Sequence, residues 1–409
     1  MPARKVLSGK WRKVNFACKA GGADRMEAYF DNAATTRVLD SVKDIMVKTM
    51  CEDYANPAAK HGMGMAAEQY IRRSRAEIAK TLGVADKEIL FTSGGSESNN
   101  MALFGAAFAN KRAGRHIIAT NIEHPSVFRV LSCLEEAGFM VTFLPVDNEG
   151  HISLEGLKEA VREDTILVSV MYVNNEVGAV EPVEEISRTV KAKNQKALFH
   201  VDAIQAYGKY AIRPKRQGID LMSVSGHKIH GPKGVGFLYI RDGVKVKPLI
   251  YGGGQQGGMR SGTENVPGVA GLGVAAREMY DNHEEKIRHL TGLKDYLIDC
   301  LAQMDGVVVH SKKGTDGAPQ IVSASFSGVR SEVLLHALED KGIYVSSGSA
   351  CSSHHPGASG TLKGIGVPAK LLDSTLRFSF GLFNKKEEVD YCVSVLEGLL
   401  PVLRKYRAR

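Results

Sequence analysis

The sequence predicts an α/β protein: a large domain on a mostly parallel, seven-stranded sheet covered on both faces, then a smaller α+β domain. Three observations carry this. Short apolar runs rich in β-branched residues alternate with helical patterns from about residue 88 to 240, the βαβ rhythm of a parallel sheet. A glycine-rich segment, 251–263, then interrupts the rhythm. Beyond it strands and helices follow in a different order.

The elements follow from local signals. Residues 26–31 open as a strand-like run, a helical pattern reaches about residue 50, and a polar loop with Asn56-Pro57 leads to a long helix near 62–82. The alternating region places strands at 88–92, 116–120, 140–145, 165–172, 198–202, 221–225 and 235–240. Ser93-Gly94-Gly95 breaks the first of these, and an apolar helix follows to about 109; further helices read at 126–137, 153–162 and 183–194. A long helix is expected over 266–303, then strand 321–326, helix 331–341, strand 342–345, helix 368–372, strand 374–380 and helix 385–404. Asn384 and Glu387 give the last helix a capping-box-like start.

With 409 residues, 44% hydrophobic and 24% charged, the chain is long enough for two domains. These are expected at 37–265 for the large one and at 26–36 plus 266–409 for the small one. No apolar run approaches the roughly 18 residues that span a bilayer, so no membrane association is expected. Six cysteines without a C-x-x-C pair argue against a disulfide framework or zinc ribbon and for a reducing, cytoplasmic location. The net charge of +8 resides mostly in residues 1–25, where seven basic residues face Asp24, so the body is nearly neutral and no direct nucleic-acid partner is expected. That extension reads as disordered or as a mis-assigned start, the true one being Met26; a transit peptide and a nucleic-acid-binding arm stand as the alternatives.

The apolar run Ile219–Ser225 ends at Gly226-His227-Lys228. A lysine there is either a solvated loop residue or, with its pKa lowered by burial, a nucleophile towards carbonyls. Pro232 stands where a Walker-A lysine would be required, which excludes a nucleotide-binding loop. Ser93-Gly94-Gly95-Ser96 at a strand-to-helix junction is an ordinary turn or a phosphate cradle. Asp202 ends a strand, where it caps a loop or pairs with a protonated ring nitrogen. Glu123-His124-Pro125 and Asn174-Asn175-Glu176 follow two other strands, although a lone histidine is more often structural. Jointly these groups meet the needs of pyridoxal phosphate: a phosphate anchor, a partner for the ring nitrogen and an amine.

At this point the chain resembles the cysteine desulfurases, of the class V aminotransferase branch of fold-type I pyridoxal-phosphate enzymes. The matching stretches are Phe30–Thr36, Thr92–Asn100, Glu123-His124, Val173–Glu176, Val201–Gln205, Ser225–Lys228, Gly258–Thr263, Ser346–Ser352 and Leu376–Ser379, in order from Met26 to the C-terminus. The resemblance implies that Lys228 carries the cofactor, Asp202 pairs the ring nitrogen, and His124 stacks on the ring and assists proton transfer. Gly95, Ser96, Ser225 and His227 would hold the phosphate, while Gln205 and Asn175 would bond the ring hydroxyl and the substrate region. Arg377 would clamp the substrate carboxylate, a bidentate task suited to guanidinium. Thr263 would reach the phosphate of the other subunit, implying a homodimer.

Cys351 decides among the reactions this fold supports. It stands among small residues, Ser346–Ser353, read as a mobile loop suited to a nucleophile that visits substrate and acceptor. The resemblance makes it the persulfide carrier in the conversion of L-cysteine to L-alanine, with Lys228 as the base at the α-carbon and His124 helping to form the thiolate. The loop resembles the long-loop desulfurases that feed iron–sulfur cluster assembly or tRNA thiolation through a sulfur-acceptor protein. His354 and His355 are read as solvated rather than metal-binding, no resident metal is expected, and a transient iron–sulfur cluster on Cys351 stays open. Selenocysteine lyase and class V aminotransferase remain as alternatives, with an RNA-binding or sulfur-relay adaptor as the non-enzymatic one.

Overall fold

The computed structural model describes residues 26–347 and 359–407. The strands are β1 (Ala28–Tyr29), β2 (Ile89–Thr92), β3 (His116–Thr120), β4 (Met140–Leu144), β5 (Thr165–Met171), β6 (Leu198–Asp202) and β7 (Leu221–Ser225). They continue with β8 (Gly236–Ile240), β9 (Val307–Val309), β10 (Ile321–Phe326), β11 (Ile343–Tyr344), β12 (Ser346–Ser347) and β13 (Thr375–Ser379). The helices are α1 (Asp40–Cys51), α2 (Gly62–Leu82), α3 (Gly95–Asn110), α4 (Pro125–Glu136), α5 (Leu154–Ala160) and α6 (Val183–Lys193). After them come α7 (Val266–Tyr280), α8 (His283–Ala302), α9 (Ser331–Glu339), α10 (Gly360–Gly364), α11 (Ala369–Leu372) and α12 (Lys386–Arg407).

Seven strands form one sheet in the order β2-β8-β7-β6-β5-β3-β4. Only β8 runs against its neighbours; the other pairings in this sheet are parallel. Strands β5 and β7 are buried along their whole length, as a sheet covered on both faces requires. One apolar cluster, on α2, α6 and α7, and a second, on α3 and α4, share the sheet's strands between them. A further cluster joins α8, α9 and α12 to the antiparallel sheet β12-β13-β10-β9 and to β1, which pairs in parallel with β11.

The expected helix over 266–303 is two helices. The chain breaks at Asp281–Asn282, where Asn282 takes a left-handed φ of 49°, a conformation asparagine tolerates better than most residues. Apolar side chains recur on both sides of the break, so periodicity alone hides it. The side chains of α7 belong to the large core beside α2, whereas those of α8 enter the core of the antiparallel sheet. The strand expected at 342–345 is likewise divided, β11 pairing with β1 and β12 with β13. At the last helix the box is formed one residue later than expected: Glu388, not Glu387, accepts from the N–H of Lys385 at 3.0 Å.

Candidate active site

The candidate residues leave the sheet at one edge, the carboxyl ends of its parallel strands, where open α/β sheets place ligands. β2 leads through Ser93-Gly94 into α3; β3 leads to His124, the N-cap of α4; β5 leads to the Asn174-Asn175 turn; β6 ends on Asp202; β7 ends on Ser225 and enters a 3-10 turn, Gly226–Lys228. Gly94 has a φ of 145°, and a Cβ on its neighbour Gly236 would lie 2.8 Å from the Gly94 Cα. Glycine at both positions lets the turn before α3 lie flat on β8.

A cavity of about 350 Å³ opens between these loops, β13 and residues 31–34. Gly95, Ser96, His124, Asn175, Asp202, Gln205, Ser225, His227, Lys228 and Arg377, all expected from the sequence, line it. Thr263 is exposed and does not line it. Cys351, His354, His355 and residues 1–25 lie outside the described residues.

Residues 31–37 form a strap over the strand ends. Lys228 Nζ donates to the carbonyls of Ala33 and Ala34 at 2.7 and 2.6 Å, and Gln205 Nε2 donates to Ala33 O at 3.0 Å. Thr36 donates to the His227 carbonyl through both its N–H and its hydroxyl. A second lysine, Lys209, is buried beneath and donates to the Lys228 carbonyl; burial, then the nearby Lys228, lowers its pKa to about 7.

Asp202 accepts from Asn99 Nδ2 at 2.8 Å and from the Ile204 N–H at 3.0 Å. Burial raises its pKa, against the pull of His124, so the ionised carboxylate is left under-compensated and a cation placed beside it would stabilise the charge. Asn99 also donates to Ser126 Oγ, which bonds His124 Nδ1 at 2.9 Å. His124 Nδ1 further accepts the Ser126 backbone N–H, so the proton of the neutral ring resides on Nε2. Burial lowers the His124 pKa, which favours this neutral ring.

Arg377 comes from β13. It donates through Nη1 to the Asn175 carbonyl at 2.8 Å and through Nη2 to Asp31 at 3.0 Å, while its buried Nε has no hydrogen-bond partner among the described residues. Burial raises the Asp31 pKa, and Arg377 opposes that rise. The sequence motifs contained Asp31 and Asn99, but no local signal gave them roles, because their partners lie hundreds or a hundred residues away in sequence. Ser126 and Lys209 are likewise additions from the structure.

A polar layer underlies the site. His200 is fully buried between Ser169 Oγ and Ser223 Oγ at 2.9 and 3.0 Å, and burial lowers its pKa to about 3. His227 and His230 are lowered to about 4, mainly by burial. An unfolded chain binds protons at these sites near pH 6.5, which the folded chain does not, so these three histidines contribute stability that rises with pH from about 4 to 6.5. The buried Glu123 and Glu181, raised to about 8 mainly by burial, contribute a slope of opposite sign above about 4.5. His200→Gln is expected to reduce the slope by up to about 1.4 kcal/mol per pH unit, measured by urea unfolding across the window.

The donor set fits pyridoxal phosphate. It offers a carboxylate suited to a cation, an amine held by strap carbonyls, and hydroxyl and ring donors grouped at the N-terminus of α3.

The class-V aminotransferase family model matches residues 28–392, and the chain belongs to that family. The family implies use of pyridoxal phosphate. Two similar proteins are named cysteine desulfurase IscS. The one from Dictyoglomus turgidum is 42% identical over 93% of this chain and 96% of its own length. The one from Methanosarcina thermophila is 43% identical over 92% of each. A solved structure titled NIFS-like protein superposes with a TM-score of 0.87 at 40% identity, covering 92% of this chain and all of its own. Within the class-V family, the chain therefore stands among the cysteine desulfurases.

Proposed function

We propose that the protein takes sulfur from L-cysteine, releases L-alanine and carries the sulfur as a persulfide on Cys351. The observation that supports this most is the single cavity shared by Lys228, Asp202, His124 and Arg377, in a chain related over its length to cysteine desulfurases. Pyridoxal phosphate, when bound, withdraws electrons and so acidifies the α-carbon of an attached amino acid. Gly95, Ser96, Ser225 and His227 would hold its phosphate, Asp202 its ring nitrogen, Gln205 its hydroxyl and Lys228 its carbonyl carbon.

The chain's own groups supply the rest. Arg377 binds the substrate carboxylate, with Asn175 and Asp31 fixing the guanidinium. Lys228 Nζ removes the α-proton and returns a proton to the product, and His124 Nε2 exchanges protons on the cavity side. The Cys351 thiolate forms a bond to the substrate sulfur as the carbon–sulfur bond breaks. The bonding pair passes to the carbon skeleton, which takes up a proton and leaves as alanine.

Arg377→Lys replaces a planar fork with a point charge. It is expected to raise KM for L-cysteine about 10- to 100-fold, the weight of one or two charged hydrogen bonds, with the cofactor spectrum intact. Steady-state kinetics at saturating cofactor checks this.

The protein is proposed to act as a homodimer, with the exposed Thr263 reaching the phosphate of the partner's site. Val47, Met50 and Tyr54, in and after α1, Met63 and Met65 on α2, and Tyr251 in the glycine-rich segment are exposed apolar side chains that a partner would cover. A sulfur-acceptor protein would complete the cycle, serving iron–sulfur cluster assembly or tRNA thiolation. Cys51, Cys133, Cys300 and Cys392 are free thiols, which fits a reducing cytoplasm. Among the described residues no helix is long and apolar enough to cross a membrane. The test of the activity is alanine release from L-cysteine by the cofactor-loaded protein and by Cys351→Ala.

A further inference from the structure

The turn 174–179 holds two things at once. It is closed by a bridge between Val173 and Val180 and by the Asn174 N–H on the Ala179 carbonyl. On one side, the Asn175 carbonyl accepts from Arg377. On the other, the Glu176 carboxylate accepts from the Ser359 hydroxyl at 2.5 Å, and Ser359 Oγ in turn accepts the Leu362 N–H as the N-cap of α10. Asn174 reinforces this joint: its Oδ1 accepts the N–H groups of Glu176 and Val177, and its Nδ2 donates to Thr361 Oγ1 at 3.4 Å. Val177 and Ala179 pack on Leu362 and Ile365 beneath it.

In sequence, Ser359 closely follows Cys351. We propose that Glu176 is a positioning residue for sulfur transfer. Through Ser359 it fixes the start of α10, which follows Cys351 in sequence, to the turn that also orients Arg377. The inference rests on the desulfurase reading with Cys351 as the sulfur acceptor. The physical demand is geometric, because forming a sulfur–sulfur bond while a carbon–sulfur bond breaks needs the thiolate in line with the substrate sulfur. A misplacement of about 1 Å can cost on the order of 100-fold in rate. A hydroxyl donating to a carboxylate is among the stronger anchors a protein has.

The role predicts a split between the two halves of the reaction. In the holoenzyme, Glu176→Ala is expected to slow alanine release from L-cysteine by about 10- to 100-fold. The exchange of the α-proton of L-alanine with deuterated water, which needs Lys228 but no thiol, should stay at the wild-type rate. Ser359→Ala should act in the same direction, and Glu176→Gln, which keeps an acceptor for Ser359, should restore most of the transfer rate. Amide hydrogen exchange over 359–366 should quicken in Glu176→Ala and not in Glu176→Gln. Wild-type alanine release by Glu176→Ala, or equal loss of α-proton exchange and alanine release, would overturn the proposal. Cys351→Ala, run in parallel, separates the two readings: full alanine release by that variant would sink the desulfurase reading whatever Glu176 does.

Discussion

Lys228→Ala is expected to fold, to lose the visible absorbance of the covalently held cofactor, and to release alanine from L-cysteine roughly 1,000-fold or more slowly than wild type. The size follows from the residue's double duty as attachment point and α-carbon base. Its position explains why a neighbour cannot stand in. The strap carbonyls of Ala33 and Ala34 hold Nζ, and Lys209, the other buried amine nearby, is committed to the Lys228 carbonyl. Lys228→Arg should not restore activity, since a guanidinium stays protonated and is a poor nucleophile. A small primary amine added to Lys228→Ala should recover part of the rate. Absorbance spectra and alanine assays read both outcomes, and a normal spectrum in Lys228→Ala would contradict the assignment.

The second large effect belongs to Cys351. Cys351→Ala is expected to keep the cofactor absorbance and the exchange of the L-alanine α-proton, while alanine release from L-cysteine falls by about 100-fold or more, as for removal of a nucleophile. Loss confined to the carbon–sulfur step would place Cys351 after α-proton removal. A parallel loss of absorbance would instead make it a structural residue.

Strand ends made much of the site legible. Asp202, Ser225 and Lys228 each stand where an apolar run gives way to a polar loop, and the seven-stranded sheet puts those ends side by side. What stayed hidden depends on contacts between distant segments. The pairing of Asp31 with Arg377 arises because Asp31 bridges to Ser379 beside β13, which no local pattern announces. The path from Asp202 through Asn99 and Ser126 to His124 needs α3 and α4 packed together. Strand β12 is two serines with no apolar signal, and α10 is a single short helix capped by Ser359. The break at Asn282 rests on one backbone angle that hydrophobic periodicity does not register.

The central claim is that sulfur leaves L-cysteine onto Cys351. The most direct measurement is the mass of the Cys351-containing peptide after a single turnover of L-cysteine by the holoenzyme without reductant, beside the alanine formed. The account predicts one added sulfur on that peptide for each alanine, removable by thiol. Alanine formed with an unmodified Cys351 peptide would contradict it.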